Sequence, residues 1–181
     1  MTLAELNALD GDAAASALRR CCGSTRWARQ MAAVRPFASR DAMTAQADGI
    51  WSALGPADWL EAFAAHPKIG ESGTAGRAGG ADRAGGAGGA GGEGRWSDEE
   101  QQGVARAAEP ILTRLAQANH EYEARFGYIF IVCATGKGAA EILGLIAQRL
   151  TNDPAAELAA AAEEQRKITR LRLARLLMEN G

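Results

Sequence analysis

Apolar side chains along this chain recur at helical rather than alternating spacing, and polar capping residues stand ahead of most of the apolar runs. Asp12 is placed to cap an Ala-rich segment ending at Cys22, Ser24 a segment holding Trp27 and Met31, and Ser39 a longer one with Met43, Ile50, Trp51 and Leu54. Pro56 suits a first helical turn. Trp59, Leu60 and Phe63 follow at helical spacing until His66-Pro67, where the residue before proline avoids the helical region. Helix resumes at Ser97 and is expected to run, kinked at Pro110, to about Arg125, with Gly127 as a left-handed stop. Tyr128 to Cys133 is short, aromatic and β-branched, which suits an extended segment or one strand. Thr135 to Gly138 then turns into a helix from Ala139 to Leu150, and Asp153-Pro154 opens a last one to about Met178. One strand makes no sheet. The predicted fold class is therefore all-α: a compact bundle of seven or eight helices with at most one short extended segment.

Glycine interrupts this pattern once. Eleven of the 24 residues from Glu71 to Gly94 are glycine, half of the chain's total, with almost no large apolar side chain to offset the entropy of ordering them. The expectation is a single domain over 1–181 carrying a long, flexible Gly-rich loop at about 71–95. Gly86 to Gly91 matches the dinucleotide fingerprint GxGxxG in letters only. No strand precedes it and no helix starts at its third glycine, so nucleotide binding there is set aside.

Composition narrows the function. Apolar residues make up 47% of the 181, enough for one real core, and 20 Lys plus Arg against 22 Asp plus Glu leave a net charge of −2. No basic field exists to draw nucleic acid, and no apolar run is long enough to span a membrane. Met1 to Asp10 lacks the layout of a signal peptide, and the final Met-Glu-Asn-Gly is no peroxisomal address. Cys21 and Cys22 are adjacent and Cys133 sits in an apolar run, so reduced thiols and a cytoplasmic location are expected.

Candidate chemistry is sparse. The only histidines are His66 and His120. His120 lies mid-helix in a polar context and reads as solvent-facing, whereas His66 ends a helix on a stiff backbone where a pocket wall can be. No HxxxH, HExxH or CxxC offers a metal set, and neither a GxSxG elbow nor a Walker sequence is present. Ser97-Asp98-Glu99-Glu100-Gln101 opens a helix as a capping box, yet a helix start also gathers N–H donors for a carboxylate or amide ligand. In the last helix Arg172 stands in a stripe with Ile168, Leu171 and Leu176. There it either snorkels outward or meets a buried anion, while Arg166, Lys167 and Arg170 read as a solvated face.

Several segments in order resemble one family. They are Leu6-Asn7, Arg26-Trp27, Arg35-Pro36-Phe37, His66-Pro67-Lys68-Ile69-Gly70, Ser97 to Gln101, Tyr122 to Gly127, Phe130 to Gly136, Arg149-Leu150 with Asn152, and Lys167-Ile168 through Leu171-Arg172-Leu173. Together they resemble the 2-oxo-4-hydroxy-4-carboxy-5-ureidoimidazoline (OHCU) decarboxylases of urate breakdown. The resemblance implies a carboxy-lyase that makes (S)-allantoin without a cofactor or metal, and a homodimer. It makes His66 the catalytic histidine and Glu100 the carboxylate beside it. Pro67, Ser97, Asp98, Glu99, Glu100, Gln101, Val132, Cys133, Ala134, Thr135, Gly136 and Arg172 become substrate contacts, with Arg170 a rival for the arginine's part. The glycine-rich stretch departs from the family by its length. The competing readings are a non-catalytic helical interaction module, which needs no His66, and a hydrolase of another urate-pathway intermediate.

Overall fold

In the computed structural model, residues 1–66 and 94–178 are described, and side chains are described for 1–66 and 110–178. The glycine-rich loop therefore lies outside the described residues. Among these residues there are eight helices and no strand.

Local sequence accounts for most of the boundaries. Helix α1 (Leu3–Ala8) opens on a capping box of Thr2 and Glu5, a signal the apolar pattern of so short a segment hides. Helix α2 (Gly11–Cys22) is capped by Asp10 instead of Asp12: the Asp10 carboxylate accepts from the Ala13 N–H and Asp12 sits in the first turn. Gly23, at φ +90°, ends it in the left-handed conformation. Ser24 and Ser39 cap α3 (Thr25–Ala33) and α4 (Arg40–Ala53) as expected, and Pro56 starts α5 (Pro56–Ala64). Helix α6 (Gly94–Phe126) begins three residues before Ser97, since nothing at 94–96 forbids helix, and continues through Pro110 until Gly127 at φ +80° stops it. Helices α7 (Ala139–Arg149) and α8 (Pro154–Leu176) complete the chain, the latter capped by Asp153.

Two apolar clusters hold these helices. The larger gathers Leu18, Trp27, Met31, Met43, Trp51, Phe63 and Leu173 from α2 to α5 and α8, with α8 packed on α2, α4 and α5. Indole N–H groups are satisfied on the way: Trp27 donates to the Ala47 carbonyl at 3.0 Å and Trp51 to that of Ala162 at 2.9 Å. The smaller cluster joins α6 to α7 through Leu115, Tyr122, Ile142 and Ile146, closed by Phe130 and Val132 from the connecting segment. That segment, 127–138, is neither helix nor strand: it bends at 127–128 and turns at 135–136. Its side chains bridge the clusters instead, Tyr128 lying 5.4 Å from the Phe63 ring and 5.8 Å from that of Tyr122, centroid to centroid.

One buried ion pair fixes the segment to α8. Glu157, fully buried on α8, takes the Arg149 Nε–H at 2.8 Å, the Asn152 amide at 2.8 Å and the Tyr122 hydroxyl. Arg149 in turn donates from Nη1 to the Ile131 carbonyl at 2.7 Å and lies over the Phe130 ring. One carboxylate thus ties α6, α7, α8 and the connecting segment together, and it carries the segment to the mouth of a cleft.

Candidate functional site

The cleft, of about 1000 Å³, lies between the end of α5, the segment 130–138 and one side of α8. Its described lining includes His66, Val132 to Gly136, Lys137, Arg172 and Arg175, and no acidic side chain among the described residues. Three cations around a half-apolar wall suit an anion with a flat apolar face.

His66 is held from its helix inward. Its backbone N–H donates to the Phe63 carbonyl at 3.1 Å, closing the last turn of α5. The α5 end is itself seated on the α2–α3 corner: Glu61 accepts from the Thr25 N–H at 3.0 Å and hydroxyl at 2.6 Å. Gly23 lies so close that a Cβ there would stand 2.7 Å from that of Ala65. On the ring, Nε2 is 2.6 Å from Gln165 Oε1, and Nδ1 is 3.4 Å from Arg172 Nη2. Burial, and then the Arg172 charge, hold the imidazole below its ordinary 6.5, the Gln165 bond working in the opposite direction. That direction favours the uncharged imidazole near neutrality.

The opposite wall is set by α8. Glu164 accepts from the Cys133 N–H at 2.8 Å and from Lys167 Nζ at 2.6 Å, and Lys137 Nζ caps the Cys133 carbonyl at 2.9 Å. Against the upward push of burial, these donors keep the Glu164 carboxyl below the usual carboxylate range. Gly136, at φ +78°, makes the tight turn that follows. Because the Cys133 amide is already given to Glu164, that N–H is not on offer to a ligand.

Of the residues the sequence singled out, His66, Val132, Cys133, Ala134, Thr135, Gly136 and Arg172 all line this one cleft. Pro67 lies outside the described residues, and so do the side chains of Ser97, Asp98, Glu99, Glu100 and Gln101. Arg170 does not reach the cleft lining: its guanidinium forks onto Asp48 of α4, at 3.0 Å from Nε to each carboxylate oxygen. Arg166 also pairs, with Glu163 and Asp48, and Lys167 with Glu164, as a solvated face should. His120 is exposed. All three cysteines are thiols, and burial pushes Cys22 up to about 11.

Sequence reasoning missed Gln165, Glu164, Lys137 and Arg175. Gln165 lies seven residues before Arg172, so the stripe through Ile168 and Arg172 extended one turn earlier would have reached it. Polar character excluded it, although it is fully buried.

Comparison with known proteins bears on the family and the fold. The sequence model of the OHCU decarboxylase family matches residues 7–174. The chain is 38% identical over 161 residues to the "Uric acid degradation bifunctional protein TTL" of Arabidopsis thaliana, a match covering 89% of this chain and 46% of that protein. Over 76 residues it is 38% identical to the 2-oxo-4-hydroxy-4-carboxy-5-ureidoimidazoline decarboxylase of Amia calva, covering 42% of this chain and 43% of that protein. Matches to these curated relatives thus span about half of their length or less. A solved OHCU decarboxylase crystallised in the presence of (S)-allantoin superposes with a TM-score of 0.67 at 34% identity, over 89% of this chain and 96% of that one.

Proposed function

The chain belongs to the OHCU decarboxylase family, and on that premise we propose that it decarboxylates 2-oxo-4-hydroxy-4-carboxy-5-ureidoimidazoline to (S)-allantoin in urate breakdown. The observation that carries the reading is the meeting of His66, Val132 to Gly136 and Arg172, from three distant stretches of chain, around one cationic cleft.

The substrate carries its carboxylate on a carbon that also bears a hydroxyl and adjoins a ring C=N. As the bond to carbon dioxide breaks, its electron pair flows into that imine. The ring nitrogen that receives the pair takes a proton from water, loss of the hydroxyl proton then leaves a carbonyl, and one proton added to a single face of the neighbouring carbon yields the (S) product. Arg172 pairs with the substrate carboxylate, and its planar donor fork suits that group. His66 takes the hydroxyl proton and returns one to carbon, a positioned acid–base group of this kind being worth roughly 10²–10⁴-fold. Glu100 is the catalytic carboxylate that works beside His66 in this reading, Pro67, Ser97, Asp98, Glu99 and Gln101 complete the polar rim, and the segment at Ala134 to Gly136 faces the ring amides. Buried thiols at Cys21 and Cys22 favour a reducing cytoplasm, and the homodimer belongs to the same proposal.

The experiment is circular dichroism during oxidation and hydrolysis of urate, with and without the protein. Optically active allantoin should appear faster with the wild type and at the spontaneous rate with His66→Ala. Undiminished (S)-allantoin formation by His66→Ala removes His66 from the mechanism, and no enhancement by the wild type rejects the activity in favour of a helical interaction module.

A further inference from the structure

The cleft histidine is gripped from behind by a residue with no charge to offer. Gln165 sits on α8, fully buried, with its amide nitrogen 3.4 Å from the Cys22 carbonyl and 3.2 Å from Thr169 Oγ1. The Thr169 hydroxyl spends its own proton on the Gln165 carbonyl, at 2.9 Å, so its oxygen is left as an acceptor. Both amide hydrogens of Gln165 are thereby engaged. Turning the amide over would press Oε1 against the Cys22 carbonyl, oxygen to oxygen, so Oε1 is the atom that must face the imidazole.

We propose that Gln165 is a positioning residue that fixes the His66 proton on Nε2 and so presents Nδ1, beside Arg172, as the nitrogen that exchanges a proton with the substrate. An oxygen acceptor 2.6 Å from Nε2 requires an N–H there. The lone pair then belongs to Nδ1, which lies 3.4 Å from the Arg172 guanidinium at the cleft wall. A substrate carboxylate that draws Arg172 toward itself uncovers that lone pair for the adjacent hydroxyl.

The choice of an amide over a carboxylate matters. Nε2–H donates to Gln165 whether or not Nδ1 carries a proton, so the ring does not turn over during the cycle. A carboxylate in the same place would hold the imidazolium and trap the proton that must be returned to carbon. The neutral partner orients the ring without fixing its charge.

The catalytic meaning of this rests on the decarboxylase reading, but the tautomer does not, and the two are tested separately. In the full chain labelled with ¹⁵N, with His120→Gln removing the other imidazole, long-range ¹H–¹⁵N spectra of neutral His66 should show a pyrrole-type Nε2 and a pyridine-type Nδ1. The reverse assignment, or an even mixture, overturns the proposal whatever the enzyme does. In Gln165→Glu the His66 titration midpoint should rise by more than about one pH unit, and the acid limb of kcat/KM should move with it. Gln165→Met should lower kcat by about tenfold or more with KM little changed. A Gln165→Glu variant with the wild-type titration and pH profile also overturns the proposal. A protein with the Nε2–H tautomer that makes no (S)-allantoin leaves the lock standing and rejects the activity instead.

Discussion

Replacing Arg172 by Met separates the cleft arginine from its neighbour two residues earlier. Methionine replaces the apolar stem and stops short of the guanidinium, so the change removes one cation 3.4 Å from His66 Nδ1 and the proposed partner of the substrate carboxylate. Two consequences follow from that geometry. A hydrogen bond to a charged group is worth about 1.5–3 kcal/mol, so kcat/KM should fall about 10- to 150-fold. The Arg172 charge is, after burial, a cause that holds the His66 imidazole down, so losing the guanidinium should move the acid limb upward. The assay is the pH dependence of kcat/KM for formation of optically active allantoin, with helicity checked by far-UV circular dichroism. Arg172→Lys should keep the wild-type limb while losing the bidentate fork. Arg170→Met, which only breaks an exposed pair with Asp48, should leave kcat/KM within about twofold. An undiminished Arg172→Met enzyme, or one whose limb stays put while Arg170→Met collapses, refutes the assignment.

Two further outcomes concern stability. Glu157→Ala strands the buried Arg149 and the Tyr122 hydroxyl, and should cost roughly 3–5 kcal/mol in urea unfolding; a loss under about 1 kcal/mol would mean the pair is not the tie described here. Because folded His66 is held below 6.5, the unfolded chain takes up its proton first as the pH falls. The stability this ring confers is complete above 6.5 and declines from there toward the lower folded value. Urea midpoints of the wild type should drop more between about pH 7.5 and about pH 5.5 than those of His66→Gln, and parallel behaviour of the two would contradict the depressed value.

Much of the fold was legible because its signals are short-range. Ser24, Ser39, Pro56, Asp153 and Gly127 act within a turn of their own position, so the helix ends they make were readable without a partner. The same locality explains why the six-residue α1 escaped: its capping box was in the letters, but it contributes a single buried residue, Leu6, too little for a period to show. His66 stood out for a local reason as well, a helix stop before proline.

Tertiary packing decided the rest. The stripe read from hydropathy on α8 runs through Ile168, Leu171, Arg172 and Leu176, yet Leu171 is exposed and the buried face carries Glu157, Gln165 and Thr169 beside Ala161 and Leu173. Glu157 and Gln165 are hidden because Arg149, Asn152, Tyr122, Cys22 and His66 satisfy them from elsewhere in the chain, while Thr169 bonds to Gln165 one turn away. Arg170 and Arg172 are two residues and about 200° apart on one helix, alike in any local reading. Only the seating of α8 against α4 and α5 sends one to Asp48 and the other to His66. Sequence alone determined which segments coil, where they stop and that an imidazole ends one of them. The partner of that imidazole depends on contacts between residues roughly a hundred positions apart, whose energy exists only once the helices have packed.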